Sequence, residues 1–301
     1  MNNDSAVDLP KGIHRLTKLP DSNLRELWDS IVLDDVVKER LLAHAIVNFT
    51  VRSKVPRTVL PLHGLILLVG KPGTGKTSLA RGLASRVANA FNGKLQLVEV
   101  EPHSLSSSAM GRTQKAVSDL FGQVIAEYAS DRPTIVLLDE VETLAADRSK
   151  MSLEANPVDV HRATDAVLVQ LDLLAEAHPN LLFVATSNFP EAVDSAFLSR
   201  CDLIETIPLP DAKACAQILR DCLEGLAKTF TPLGKLTASA KFEAAAAACV
   251  GLDGRTIRKV VASAIGSTVD TAANPEKTTM EDIIAAARGA RSQTASDKGR
   301  K

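Results

Sequence analysis

The chain has 301 residues, 45% of them hydrophobic and 24% charged, with a formal net charge of −1. This balance excludes a disordered polyelectrolyte and leaves no global field to steer the protein to DNA or anionic lipid. Aromatic residues make up only 3%, too few for a stacking platform along single-stranded nucleic acid, and no apolar stretch is long enough to span a membrane.

The start of the chain is polar and acidic, unlike a signal peptide. Pro10, Pro20 and mixed polar residues make residues 1–20 read as a loop, and 1–27 as an N-terminal arm. Residues 34–53 then carry Val36, Val37, Leu41, Leu42, Ala45, Ile46 and Phe49 at helical spacing, ended by Pro56 and Pro61. From there strands and helices alternate. Apolar runs at 65–69, 95–100, 134–138, 181–186 and 203–207 are separated by helical patterns at 77–91, 113–129 and 160–177 and by a short turn-helix. Buried strands alternating with helices predict an α/β fold with a five-stranded parallel sheet covered on both faces. Pro208-Leu209-Pro210-Asp211 ends the alternation, and only helices are predicted after it, at 212–229, 239–250, 255–273 and 280–290. Asp211 and Thr279 are placed to cap two of them. The domain plan is thus a large α/β domain over 28–209, a small helical lid over 210–290 and a disordered basic tail over 291–301. The tail reads as a solvated end or, less economically, a nucleic-acid contact. Cys201, Cys215, Cys222 and Cys249 lack metal-type spacing and are expected to be reduced, buried thiols of a cytoplasmic protein.

The first strand runs into Gly70-Lys71-Pro72-Gly73-Thr74-Gly75-Lys76-Thr77, followed by Ser78. Strand, glycine-rich loop and helix form the P-loop context. Glycines let backbone N–H groups close around a phosphate, and the helix N-terminus adds positive potential. Lys76 suits the β- and γ-phosphates of ATP, and the Thr77 hydroxyl suits Mg²⁺. The third strand ends in Asp139-Glu140. At the carboxyl end of a parallel strand, Asp139 is a candidate for the Mg²⁺ shell and Glu140 for polarising the attacking water. A solvated acidic turn is the bland alternative, but it does not account for a pair that follows a P-loop. Together the motifs imply ATP hydrolysis. Asn188 follows the fourth core strand, where an amide between the P-loop and the acidic pair could orient water or sense the γ-phosphate. Arg200, in Asp194-Ser195-Ala196-Phe197-Leu198-Ser199-Arg200-Cys201-Asp202, is either an arginine finger for a neighbour's γ-phosphate or one half of an ion pair with Asp202 or Asp194. Arg255, opening a helix of the lid, is a candidate phosphate sensor, and Arg258 one turn on is the weaker one.

In this order the motifs resemble those of an AAA+ ATPase. Trp28-Asp29-Ser30-Ile31-Val32, Glu101-Pro102-His103-Ser104-Leu105, Leu138-Asp139-Glu140-Val141-Glu142-Thr143-Leu144, Thr186-Ser187-Asn188 and Gly251-Leu252-Asp253-Gly254-Arg255 together resemble the pachytene-checkpoint (thyroid-receptor-interacting) family over residues 28–259. The resemblance implies a homo-hexameric ring that remodels HORMA-domain proteins by drawing their N-terminal segment through a central pore. With little chain before the ATPase core, it is nearest the short bacterial members of antiphage (CBASS) systems. There the substrate is a HORMA protein bound to a nucleotidyltransferase that makes a second messenger. The family's pore-loop aromatic falls by register on Ala109, with Met110 as its apolar neighbour, in the stretch Ser108-Ala109-Met110-Gly111. Met110 either grips substrate, being flexible and polarizable, or packs beneath the loop. The second pore loop is expected at 147–159. A DNA-associated AAA+ loader is the competing function; it wants a basic surface or an added helix-turn-helix, which the sequence does not offer.

The P-loop reading predicts that Lys76→Ala weakens ATP binding in a nucleotide titration; an unchanged affinity would refute it.

Overall fold

The structure is a computed structural model that describes residues 9–101, 112–147 and 157–298. The pore-loop residues Ser108, Ala109, Met110 and Gly111 lie outside the described residues, as does most of the 147–159 loop. The chain divides into two compact units, residues 1–70 with 76–206 and residues 71–75 with 207–301.

The first unit is built on a six-stranded sheet, β1 (Ile13–Leu19), β2 (Leu65–Val69), β3 (Leu95–Val100), β4 (Thr134–Leu138), β5 (Leu181–Ser187) and β6 (Leu203–Thr206), in the order β1-β3-β4-β5-β2-β6. Strands β2 to β6 pair in parallel, as the alternation of strands and helices predicts. Every residue of β2, β3, β4 and β5 is buried. At roughly 1.5–3 kcal/mol per large apolar side chain, these central strands are the main source of the unit's stability.

The expected arm is a correction. Residues 13–19 form β1, antiparallel to β3, and residues 22–30 form helix α1 (Ser22–Ser30). Only the ends of β1, Ile13 and Leu19, are buried, so it presents no apolar run; the β3 ladder completes it. Arg15 and Lys18 charge this edge strand and guard it against pairing with another chain. Asp21 caps α1 through the Leu24 N–H at 2.9 Å, and Leu24 and Trp28 turn inward. Helix α2 (Asp35–Val51) follows, capped by Asp34 at the Val36 N–H. Helix α3 (Lys76–Ala90) leaves the P-loop and packs closely on α1. Gly82 permits that approach: a Cβ there would stand 2.6 Å from the Trp28 Cβ and 2.7 Å from its backbone nitrogen.

The helix expected at 113–129 is observed as α4 (Arg112–Asp119), a π-helical turn over Leu120–Ile125 and α5 (Ala126–Asp131). Within the turn a Cβ on Gly122 would meet Gln170 Oε1 at 2.9 Å, so the glycine admits the long helix α6 (Pro157–Ala177). A short helix, α7 (Ser195–Leu198), is capped by Asp194.

In the second unit, α8 (Ala212–Ala227), α9 (Phe242–Cys249), α10 (Gly254–Ile265), α11 (Val269–Ala273) and α12 (Met280–Lys298) form the helical part. The Asp211 carboxylate accepts the Ala214 N–H at 2.7 Å, and the Thr279 hydroxyl accepts that of Asp282 at 3.3 Å. The helix expected over 255–273 is broken at Gly266, where a Thr268–Thr271 capping box starts α11. The tail expected to be disordered from residue 291 is instead helical to Lys298. Alanines and long side chains favour helix there, and Ser292 bonds back to the Arg288 carbonyl.

Burial raises all four thiols, Cys249 to about 11 and Cys201 to about 12, so none offers a thiolate near neutrality. No helix among the described residues is long and apolar enough to cross a membrane.

Gly82→Ala is expected to destabilise by about 1–3 kcal/mol, because backbone atoms of Trp28 cannot yield as a side chain would. A lowered midpoint in denaturant with an unchanged slope checks this; a stabilised variant would mean that helix propensity outweighs the clash.

Candidate active site

Sheet order creates the site. The carboxyl end of β5 lies between those of β2, which carries the P-loop, and β4, which carries the acidic pair. Open α/β sheets bind ligands at such ends. The Lys76 ammonium donates at 2.8 Å to the Gly70 carbonyl and at 2.8 Å to Asn188 Oδ1. Asn188 in turn donates from Nδ2 to Glu140 Oε1 at 3.2 Å. Lys76, Asn188 and Glu140 therefore form one continuous polar chain across three strand ends. Lys76 is buried while Glu140 is exposed, so the cation is held in place and the carboxylate meets solvent.

A second junction centres on Asp139. Its Oδ1 accepts from the Thr77 hydroxyl at 2.8 Å and from the Thr186 hydroxyl at 2.5 Å. The Thr186 oxygen also accepts the Glu140 N–H at 3.1 Å. Glu140 is left-handed, with φ 52° and ψ 55°, a costly conformation for a non-glycine residue. The Thr186 contact and the Thr143 N–H, which donates to the Glu140 carbonyl at 3.0 Å, hold that turn. Glu142 supports it from behind by accepting the Asn188 N–H at 3.1 Å.

Thr186 is a site residue that the sequence reading did not single out as a candidate. It stands opposite Leu68 in a fully buried strand, and a lone threonine in such a run looks like an ordinary β-branched core residue. The available signal was its place two residues before Asn188 at a strand end.

Thr77 and Asp139 supply the hard oxygen donors that suit a small divalent cation. Among the described residues no cluster of three or more His, Cys, Asp or Glu side chains could hold a metal alone, so such an ion would draw its remaining ligands from phosphate and water. A cavity of about 200 Å³, lined by His14, Arg81, Glu99, Glu101, Asp139 and Glu140, opens beside the acidic pair and has room for water. A cavity of about 780 Å³ adjoins Arg52, Arg57 and Glu176 and carries none of the phosphate-binding residues.

Residues 71–75 belong to the second unit. There the Gly73 carbonyl accepts the Arg255 N–H at 3.3 Å. Gly73 has φ +82°, and a Cβ on it would fall 2.0 Å from Asp253 Oδ1. Asp253 caps α10 through the Thr256 N–H. Thr74 is buried, its hydroxyl bonded to the Lys71 carbonyl, while Arg255 is exposed. Pro72 and Gly75 complete this stretch, and Ser78 lies in the first turn of α3.

Arg200 has a partner that the sequence reading did not weigh. Its guanidinium grips Asp172 of α6 in a fork, Nε to Oδ1 at 2.9 Å and Nη2 to Oδ2 at 2.7 Å. Asp202, one expected partner, instead accepts the N–H groups of His63, Gly64 and Leu65 at 2.8, 2.7 and 3.1 Å. Asp194, the other, caps α7.

Fold and site together define an ATPase of the P-loop class. Residues 66–209 match the ATPase family associated with various cellular activities (AAA). The chain is 67% identical over 291 residues to CD-NTase-associated protein 6 of Pseudomonas aeruginosa, covering 96% of each protein. It is 37% identical over 216 residues to the pachytene checkpoint protein 2 homolog of Rattus norvegicus, covering 70% of this chain and 50% of that protein, so it spans about half that relative's length. The structure of C. elegans PCH-2 superposes with a TM-score of 0.74 at 25% identity, over 96% of this chain and 77% of that one. A chain of the E. coli MS115-1 HORMA:CdnC:Trip13 complex shares the fold, with a TM-score of 0.74 at 19% identity over 92% and 95% of the two chains. The protein therefore belongs to the family of CD-NTase-associated protein 6, its residues 66–209 carrying the AAA match, and the pachytene-checkpoint resemblance is borne out.

Thr186→Val keeps the shape of the strand and removes the hydroxyl that orients Asp139 and Glu140. ATP hydrolysis is expected to fall about 10-fold or more with ATP affinity nearly unchanged, measured by steady-state turnover and nucleotide titration. Unimpaired turnover would mean that the acidic turn holds its geometry without it.

Proposed function

We propose that the chain forms a homo-hexameric ring in the cytoplasm that spends ATP, with Mg²⁺, to unfold part of a HORMA-domain protein by drawing its N-terminal segment through a central pore. The action takes apart HORMA complexes, including those holding a nucleotidyltransferase, and so restrains antiphage second-messenger synthesis. The observation that carries this reading is the 67% identity, over 96% of both chains, to a protein named for its association with a CD-NTase. The fold neighbour solved in a HORMA:CdnC:Trip13 complex is consistent with it.

The residues divide the work as follows. Lys76 and the P-loop backbone, Gly70 to Thr77, hold the phosphates, and Thr77 and Asp139 hold Mg²⁺, which neutralises phosphate charge when bound. Glu140 takes the proton of the attacking water, its carboxylate aimed by the Asn188 amide. Because Asn188 also bonds Lys76, it is the natural reporter of whether a γ-phosphate is engaged. Arg255 reads nucleotide state from the helical unit, through its backbone tie to Gly73. Arg200 completes the site of the adjacent subunit. It precedes β6, and its neighbour Asp202 is bonded to Leu65, the first residue of β2. The five residues of β2, about 15 Å, separate that end from the chain's own P-loop, so Arg200 serves a neighbour's nucleotide rather than its own. Ser108, Ala109, Met110 and Gly111 are assigned to the gripping loop.

Glu140→Gln should bind ATP yet turn it over at least 10²-fold more slowly. The ATP-loaded variant, used as bait in a lysate of the native host, should retain a HORMA-type protein. Retention of DNA or replication proteins would favour a loader instead.

A further inference from the structure

The fork between Asp172 and Arg200 lies away from the chain's own nucleotide chemistry, yet it is closely built. The Arg200 side chain is only 22% exposed. Of the five guanidinium N–H bonds, Nε and one on Nη2 go to Asp172, and one on Nη1 goes to the Ala196 carbonyl at 2.7 Å. One N–H remains on each terminal nitrogen. Both remain available as donors to a phosphate oxygen, a common partner of a guanidinium. The fork thus fixes the plane of the guanidinium while leaving one N–H on each terminal nitrogen uncommitted among the described residues.

Asp172 is itself placed from two sides. It sits on α6, whose carbonyl at Ala175 accepts from Arg52 Nη2 at 3.0 Å. Across from it, His63 Nε2 lies 3.7 Å from Oδ1, and the backbone of His63 is pinned by Asp202. The Arg200 hydrogen bonds hold the Asp172 carboxyl below the usual carboxylate range, while burial holds the His63 imidazole below its ordinary value. At neutral pH the carboxylate is therefore charged, and Arg200 is its principal counter-ion.

We propose that Asp172 is a positioning residue for hydrolysis in trans: it clamps the Arg200 guanidinium through Nε and Nη2 so that its remaining Nη1 and Nη2 N–H groups are presented to the γ-phosphate held by the adjacent subunit. The clamp removes the rotamer freedom that a long arginine would otherwise lose on reaching the transition state. It rests on the reading of Arg200 as the trans-acting residue, and the experiment separates the two.

Full-length Asp172→Ala, Asp172→Asn and Arg200→Ala proteins are compared with wild type for thermal unfolding, ATP affinity, kcat and KM. Asp172→Ala is expected to lower kcat by about 10- to 100-fold with KM for ATP within about twofold, the signature of a misaligned group rather than a lost binding contact. Asp172→Asn keeps the side-chain volume and one acceptor, so it should fold and fall between the two. A second readout uses mixed rings. Subunits carrying Lys76→Ala together with Asp172→Ala should depress the turnover of added wild-type subunits more than Lys76→Ala subunits do, because the misaligned arginine fails its neighbour. If Arg200→Ala is inactive while both Asp172 variants turn over at or above the wild-type rate, the positioning role is overturned and the finger stands. Should Arg200→Ala remain active, both readings fall. A lowered kcat with no extra effect in mixed rings would make Asp172 merely structural and likewise overturn the proposal.

Discussion

One carboxylate oxygen, Oδ1 of Asp139, joins the helix that leaves the P-loop to two neighbouring strands. Thr77 reaches it from α3 and Thr186 from β5, both as hydroxyl donors. The junction depends on the order of the sheet: were β4 beside β2, no strand end would lie between the lysine and the acidic pair. Because β5 intervenes, its last residues complete both polar chains, Thr186 toward Asp139 and Asn188 toward Lys76 and Glu140. A hydroxyl and an amide therefore do the spacing, while the charged groups supply the chemistry.

The parts legible in the sequence are those where burial acts along a continuous run. Strands β2 to β5 are wholly buried, so their apolar stretches mark them directly, and the P-loop is marked by its glycines and Lys76-Thr77. The caps at Asp211 and Thr279 were likewise readable, since capping is local. What escaped depends on a partner distant in the chain. Strand β1 has a polar middle and exists because β3 offers it a ladder. Within the π turn, Gly122 admits Gln170 of α6, a contact no local pattern announces. Asp172 is 28 residues from Arg200, and a helical aspartate gives no sign of which arginine will find it.

The site also shows where local comfort is given up. Glu140 keeps a left-handed backbone, Gly73 occupies a conformation that no side chain tolerates easily, and a buried Glu142 oxygen has no hydrogen-bond partner. Departures of this kind also occur elsewhere, at Asn92 and at a register shift in β1, but those at Glu140 and Gly73 lie at the acidic turn and the P-loop. A rigid, apolar platform carries a few strained groups, which is the arrangement in which small displacements matter most.

Asp202 gives the fold a mechanical property. Its carboxylate gathers three N–H groups at the root of β2, the strand that ends in the chain's own P-loop, and it stands only two residues after Arg200. One short peptide therefore grips the base of the strand that leads to the P-loop and, two residues earlier, is itself clamped to α6 through the Arg200–Asp172 fork. A displacement of Arg200 would travel through Cys201 into the hydrogen bonds that seat β2, so the clamp on α6 and the root of the P-loop strand are mechanically one piece.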